Sequence, residues 1–494
     1  MLGKRRDLPV IPLSPDPIRE GVDPTVRAVD TNLGPAGPAT GPRIGLVTLG
    51  CDKNTVDSEH MMAALVGQGA RVSSGVEGSE VVVVNTCGFI EAAKEQSIEA
   101  ILEACQLKDD GEVRTVVAVG CMVQRYKEEL KAEIPEVDLF LGLTDLGDLV
   151  PELRDRGLLP SVDESVPNME RPLRILATDT PHTSFLKISE GCDHTCAFCA
   201  IPLMRGLHRS TPVPDLVREA QALEAQGVRE LNLVSQDTTW YGKDRVGKRH
   251  KARGGGSEPR ATLLPDLLGA LLEETEIPWY RLFYMYPSGI TRDLVELLAS
   301  HDRILPYLDM PIQHGSDRIL KAMRRPERRD TIRERVGWLR EAIPGLTLRT
   351  TVIVGFPGES EADFQALLEL LEEIKFDRVG GFPFSVEEGT PAADMDHQLP
   401  EDVKKERLET LLDVQRGISL DLNVAQVGSR TQALVDAVVV DDPEFGFVAR
   451  TVGQALDVDG VTHLPPTEGL APGDLVEVEI VDALEYDLIG SVRR

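Results

Sequence analysis

The sequence predicts an α/β protein in three parts: an N-terminal parallel βαβ domain, a partial six-unit β/α barrel and a small C-terminal all-β domain. Three observations lead there. From Ile44, strand-like apolar runs alternate with amphipathic helical stretches through three units. After a polar break the alternation resumes for six units more. Near the end, helical spacing gives way to short strands separated by turns. The expected boundaries are a disordered tail at 1–42, the N-terminal domain at 43–155, a linker at 156–177, the barrel at 178–416 and the all-β domain at 417–494. A chain of 494 residues exceeds what a single core organises.

The tail is rich in Pro, Gly and polar residues and has no sustained period. "IGLVTLGC" then reads as a strand, and "DSEHMMAALVGQG" as a helix with a closing glycine. "EVVVVNTCGF" is a buried-type strand, followed by a helix over about 90–107. "RTVVAVGCM" is a third strand, again followed by a helical stretch. This βαβαβ order implies a parallel sheet covered on both faces. In the barrel the expected strands are "SFLKIS" (184–189), "ELNLVS" (230–235), "RLFYMY" (281–286), "YLDMPI" (307–312), "LRTTVIV" (348–354) and "RVGGFPFS" (378–385). Six units fall short of the eight that close a full barrel. The insert 242–261, "GKDRVGKRHKARGGGSEPRA", is basic, Gly-rich and aperiodic, and reads as a flexible surface loop. A charged helix over about 400–417 precedes "TQALVDAVVV", "FGFVART", "LVEVEIVDAL" and "DLIGSV", the strands of a small barrel or sandwich.

Composition narrows the function classes. No apolar run approaches the roughly 20 residues that span a bilayer. The opening "MLGKRRDLPVIPLSP" has prolines and an aspartate where a signal peptide has its apolar stretch. The expected compartment is the cytoplasm, with no membrane partner, where cysteines serve as metal ligands, catalytic groups or buried thiols rather than disulfides. A net charge of −29 argues against DNA and against nucleic acid in general, which calls for clustered Lys and Arg. The same charge suits a basic protein partner, and on charge alone it also serves solubility. Residues 418–494 hold 14 Asp or Glu, 4 Arg and no Lys, a poor composition for binding phosphate.

The chemistry lies in the cysteines. "GCDHTCAFC" places Cys192, Cys196 and Cys199 within eight positions, as C-x3-C-x2-C after the first barrel strand. Three thiolates so close suit an iron–sulfur cluster or zinc. Structural zinc takes four protein ligands, and His194 inside the triplet is an awkwardly crowded fourth. Three cysteines on a 4Fe–4S cluster leave one iron open. Cys51, Cys87 and Cys121 stand apart in sequence, each at the end of one N-terminal strand. Carboxyl ends of parallel strands share one sheet edge, where ligands bind, so these three thiols can converge. Any one alone would read as an ordinary buried thiol. Cys105 follows Ile98, Ile101 and Leu102 at helical spacing and reads as core.

"GCDHTCAFCAIP" resembles the cluster loop of the radical S-adenosylmethionine superfamily. The resemblance implies that the open iron chelates S-adenosylmethionine, whose reductive cleavage releases a 5′-deoxyadenosyl radical; it also implies the partial barrel as the usual fold. "TTVIVGFPGES" (350–360) looks like that superfamily's strand against the cofactor's adenine. Read from its residues, it is an apolar strand and then a tight turn at Gly355, Pro357 and Gly358. Together with the scattered triplet and a C-terminal TRAM-like β domain, the chain resembles the methylthiotransferases from about residue 43 to its end. In that family the scattered cysteines hold a second 4Fe–4S cluster. One branch modifies a tRNA adenosine, N6-isopentenyladenosine; the other modifies an aspartate of small-subunit ribosomal protein S twelve. "LGCDKNTVDSE", "NTCGFIEAAKEQSIEAI", "PLMRG", "SQDTTWYG", "PIQHGSDRILKAMRRP" and "GFPFSVEEGTPA" resemble the ribosomal-protein branch. Asp52 departs from it, since proline is more usual there.

The resemblance implies a transferase with two 4Fe–4S clusters and S-adenosylmethionine as both methyl donor and radical source. The metal ligands are then Cys51, Cys87, Cys121, Cys192, Cys196 and Cys199, with no catalytic residue beyond them. The partners are ribosomal protein S twelve, free or in the ribosome, an electron donor and a sulfur source. The acidic balance disfavours tRNA. Gln236, Gln313, Gly355 and Glu359, at barrel strand ends, are candidates for holding the cofactor; Gln236 and Glu359 read equally well as cap or turn residues. Arg205 reads equally as the partner of a bound carboxylate or as one half of a structural salt bridge. A tRNA methylthiotransferase and a non-catalytic iron–sulfur scaffold or electron carrier are the competing readings.

Overall fold

The structure, a computed structural model, describes residues 41–73, 75–160, 173–246, 262–440, 442 and 444–493. The expected tail up to residue 40, the middle of the expected linker and residues 247–261 of the basic insert lie outside them. The described chain forms two compact units, one of residues 41–284 with 385–394, the other of 285–384 with 395–493.

The first unit opens with β1 (Arg43–Thr48), α1 (Asp52–Val66), β2 (Arg71–Ser73), β3 (Val81–Thr86), α2 (Glu91–Asp109), β4 (Thr115–Gly120), α3 (Cys121–Glu133), β5 (Leu139–Leu141) and α4 (Leu149–Asp155). All pairings in this sheet are parallel, in the order β2-β1-β3-β4-β5. Successive residues of its central strands face opposite sides. Val81, Val83, Val117 and Val119 pack with Met61, Met62 and Leu65 of α1 and Leu149 and Leu153 of α4. Val82, Val84, Val116 and Ala118 pack with Ile101 and Ala104 of α2 and Val123 and Leu130 of α3. Two dry faces explain why these strands read as continuous apolar runs rather than alternating ones. Each buried valine contributes about 1.5–3 kcal/mol relative to exposure. Cys105 lies in the second of these cores, 6% exposed, as its helical spacing implies. The βαβαβ reading missed β2 and β5, each three residues long and too short to show a period.

The same unit continues with β6 (Thr183–Lys187), β7 (Ser189–Glu190), α5 (Ile201–Arg205), β8 (Arg209–Ser210), α6 (Val213–Ala225), β9 (Glu230–Val234), α7 (Lys243–Val246), α8 (Leu264–Glu274) and β10 (Trp279–Leu282). β6, β9 and β10 pair in that order, all parallel. β7 and β8 form a small antiparallel pair on either side of the cysteine triplet.

The second unit holds α9 (Arg292–Ser300), β11 (Ile304–Asp309), α10 (Asp317–Ala322), α11 (Arg329–Ala342), β12 (Thr347–Val354), α12 (Glu361–Ile374) and β13 (Arg378–Pro383). β11, β12 and β13 are again parallel neighbours. All six expected barrel strands therefore exist, three in each unit. Their bounds shift by a few residues, most at β10, which begins at Trp279 and ends at Leu282. α13 (Glu401–Val424) runs past its expected end. β14 (Arg430–Val438), β15 (Phe447–Thr451), β16 (Thr462–Leu464), β17 (Leu475–Ala483) and β18 (Leu488–Val492) then close a barrel in the order β14-β15-β16-β18-β17. Ala433, Val435, Phe447, Ala449, Leu464, Val478, Ile480 and Leu488 fill it. β16, another three-residue strand, is the one not expected.

Candidate active site

The strand order β2-β1-β3-β4-β5 places the topological switch point of the N-terminal sheet between β1 and β3, where open α/β sheets bind ligands. Cys51 and Cys87 follow those two strands, and Cys121 follows β4 as the first residue of α3. The segments are pressed together. A Cβ on Gly50 would stand 2.9 Å from Cys87 Sγ, and one on Gly120 would stand 2.6 Å from Thr86 O. Glycine beside the cysteine is what lets these loops approach. Cys51 is exposed, while Cys87 and Cys121 are 8% and 5% exposed.

Asn54, fully buried in the first turn of α1, holds the three segments in register. Its Nδ2 donates to Leu49 O at 2.7 Å and to Thr86 O at 3.1 Å, the chain just before Cys51 and Cys87. Its Oδ1 accepts from Arg205 Nη2 at 2.6 Å and faces Cys121 Sγ at 3.6 Å. Ser97 Oγ fixes Cys87 by bonding both its N–H and its C=O at 2.9 Å. Burial pushes the Cys87 thiol up and the Cys121 thiol to about 12, against the pull of the Arg205 guanidinium on both. The metal-free thiols therefore stay protonated, and thiolate forms on metal binding.

Arg205 is 4% exposed and does not wait for a bound carboxylate. It donates to Asp57 Oδ2 at 3.2 Å from both Nη atoms and to Glu190 Oε1 at 2.8 Å. Of its two readings the structural salt bridge holds. Lys187 pairs with Asp57 and, at 2.6 Å, with Glu190. Although burial opposes it, these two cations hold the Glu190 carboxyl at about 2.

The tight triplet lies on the loop between β7 and α5. Cys192 and Cys196 are buried, and Cys199 is half-buried. Cys192 N–H donates to Gly206 O at 3.0 Å, which closes the base of the loop. Burial, with Cys196, Asp237 and Asp193 nearby, pushes the Cys192 thiol to about 12. His194 is taken up by Asp237: its Nε2 stands 2.7 Å from Asp237 Oδ2, and its ring meets Trp240 edge-on at 4.9 Å. Cys121 packs with Ala200 and Met204, on the segment just past Cys199. Among the described residues no three cysteine, histidine or acidic side chains are placed to hold a lone metal ion. An all-thiolate donor set is the chemistry an iron–sulfur cluster takes.

The proposed cofactor residues divide. Gln236 follows β9, and both its amide Oε1 and Nε2 are buried with no partner among the described residues. Its side chain makes no cap or turn bond among the described residues, and an unpaired donor and acceptor side by side suit a polar ligand. Gln313 has φ +68, and its backbone bonds β12 through Thr351 O and Ile353 N–H. Such a conformation is uncommon for a residue with a side chain and is found where the fold aims one. Glu359 is a turn residue. Its Oε2 accepts from Gly355 N–H at 2.8 Å and Phe356 N–H at 3.2 Å, and its Oε1 from Arg407 Nη1 at 2.6 Å. His314 Nε2 adds a contact at 3.3 Å. Of its two readings, these bonds make the turn-holding one. Gly355 is required by φ +74 and by Lys404, whose Cγ would lie 2.4 Å from an added Cβ. The backbone approach expected there for a ligand is made, on that face, by Lys404.

Residues 43–142 match the Uncharacterized protein family UPF0004, 186–371 the Radical SAM superfamily and 427–492 the TRAM domain. A "Ribosomal protein uS12 methylthiotransferase RimO" of Anaeromyxobacter sp. (strain K) is 46% identical over 91% of this chain and 93% of its own length. The chain belongs to the ribosomal protein uS12 methylthiotransferase family. Proteins of the same name from Desulforudis audaxviator and Clostridioides difficile are 44% and 39% identical, over 90% and 91% of this chain and 96% and 98% of their own lengths. Membership makes the chain a methylthiotransferase enzyme of the radical S-adenosylmethionine type, a class that works with a 4Fe–4S cluster and S-adenosylmethionine. No helix among the described residues is long and apolar enough to cross a membrane. Sequence reasoning left Asn54, Asp57 and Ser97 without a role. The signal was there: α1 buries Asn54, Asp57, Ser58 and Glu59 on a helix that a purely structural role would face with apolar residues.

Proposed function

We propose that this chain methylthiolates the β-carbon of an aspartyl residue of ribosomal protein uS12, giving 3-methylthioaspartate, in the cytoplasm. In this reading Cys192, Cys196 and Cys199 hold one 4Fe–4S cluster, and Cys51, Cys87 and Cys121 hold a second. The observation that carries it is the packing of Cys121 on Ala200 and Met204, which joins the scattered cysteines to the tight loop within one compact unit. When bound, the clusters and S-adenosylmethionine supply the electron, the radical and the methylthio sulfur that an unactivated C–H bond requires. The chain supplies position. Asn54 fixes the segments of Cys51, Cys87 and Cys121. Arg205, next to the same cysteines, offsets the charge of three thiolates. Gln236 offers an unpaired amide to the cofactor's polar groups. A net charge of −29 complements a basic ribosomal protein and repels tRNA. Electrons and sulfur come from outside the chain.

The test is anaerobic incubation of the reconstituted protein with S-adenosylmethionine, a reductant, a sulfide source and either uS12 or tRNA. Mass analysis should show one methylthio group on uS12 and none on tRNA. A methylthio group on tRNA with none on uS12 would overturn the assignment.

A further inference from the structure

We propose that Lys53 binds the side-chain carboxylate of the substrate aspartate, an inference that rests on the function proposed above. The argument starts from the product. The carbon that gains sulfur is bonded directly to the carboxylate carbon. Whatever reads that carboxylate must therefore stand beside the cysteines that hold the sulfur-donating cluster. α1, α2 and α3 open at or near Cys51, Cys87 and Cys121, and their first five residues carry three cations, Lys53, Lys94 and Arg125. Arg205 is the fourth cation nearby.

Three of the four are committed to the chain's own carboxylates. Arg205 has Asp57 and Glu190. Lys94 and Arg125 share Glu387, and Lys94 also has Glu91. Lys53 differs. Among the described residues its Nζ has one carboxylate, Asp52, at 3.3 and 3.5 Å, longer than a charge-assisted bond normally runs. It lies 3.5 Å from the centre of the Tyr284 ring, and Tyr284 Oη donates to the same Asp52 at 3.2 Å. Tyr284 itself takes φ +57 at the end of β10. An ammonium has three N–H donors, so this cradle leaves capacity for a carboxylate.

The placement is costly without a ligand. Lys53 is 6% exposed and sits in the first turn of α1, where the helix dipole repels a cation. An incoming anion removes that cost. Asp52, one residue past Cys51, then positions both the ammonium and the tyrosine, which proline at 52 would not do.

The experiment compares wild type with Lys53→Met and Lys53→Arg on uS12, and on uS12 whose modified aspartate, located by mass analysis, is changed to asparagine. Lys53→Met should lower kcat/KM on uS12 by about 10- to 100-fold, the worth of one buried charge-assisted contact. It should also lose most of the preference for aspartate over asparagine, and Lys53→Arg should restore part of it. Methyl transfer from labelled S-adenosylmethionine to the protein, without reductant or uS12, should stay within about twofold. Lys53→Met that keeps the aspartate preference would overturn the inference. So would a matching loss of the uS12-free methyl transfer, which would assign the ammonium to the cofactor's own carboxylate. Wild type that leaves uS12 unmodified would instead remove the function on which the inference rests.

Discussion

At the scale of single residues, Asn54 does more than its type suggests. It is uncharged and is not one of the candidate cluster ligands, yet it ties the ends of β1 and β3, the thiol of Cys121 and the guanidinium of Arg205 to one side chain. Asn54→Ala leaves one buried and one half-buried carbonyl and one guanidinium N–H short of a partner. Each such loss costs about 1–3 kcal/mol, so chemical denaturation should show a stability fall of about 3 kcal/mol or more. Asn54→Asp should fall at least as far. It keeps the acceptor for Arg205 but turns acceptors toward Leu49 O and Thr86 O. Both variants should reconstitute with less iron than wild type, while a ligand-free surface change such as Glu128→Gln leaves iron content unchanged. Wild-type iron and stability in Asn54→Ala would show that the cysteine segments hold their register by packing alone.

At the scale of elements, α12 shows how a turn is fixed by the helix after it. Ser360 caps the helix, and Asp363 closes the capping box while accepting from Ser316 Oγ at 2.6 Å and from Arg318. Burial opposes ionisation of Asp363, but Arg318, Ser316 and Ser360 together hold its carboxyl well below the usual carboxylate range. A depressed pKa gives stability that is fully present above the unfolded value, near 4, and is lost as pH falls through the folded one. Asp363→Asn should therefore cost about 1–2 kcal/mol at pH 7, with the gap to wild type constant down to about pH 4 and closing below it. A gap that widens in acid would contradict that sign. Elements of this length were legible in the sequence because they bury whole faces: β3 and β4 as unbroken apolar runs, α12 through apolar residues that recur at helical spacing. β2, β5 and β16 were not legible, since three residues cannot repeat one. The six cysteines stand out as candidates in the sequence because their chemistry is in the side chain itself. Glu359 kept two readings because sequence gives a carboxylate at a turn but not which way it faces; here it turns inward to Gly355 and Arg407. Lys53 and Asn54 stayed hidden inside a motif for the same reason.

At the scale of the molecule, the two cysteine sets are two structural solutions. The tight set needs only a loop between β7 and α5; the scattered set needs a folded five-stranded sheet, because its thiols meet only at a sheet edge. If each set holds its own 4Fe–4S cluster, the two are separable by mutation. The triple variant Cys192→Ala, Cys196→Ala, Cys199→Ala should keep roughly four of roughly eight irons and still accept a labelled methyl group from S-adenosylmethionine without reductant. It should form no 5′-deoxyadenosine. The triple variant Cys51→Ala, Cys87→Ala, Cys121→Ala should also keep roughly four irons, form 5′-deoxyadenosine under reducing conditions and transfer no methylthio group. Cys105→Ala should change neither count, since that thiol lies in the core under α2. Iron analysis and product detection on the three proteins decide between one shared site and two. Two triple variants that lose the same activities, or either one that loses all its iron, would mean that the cysteines build a single centre.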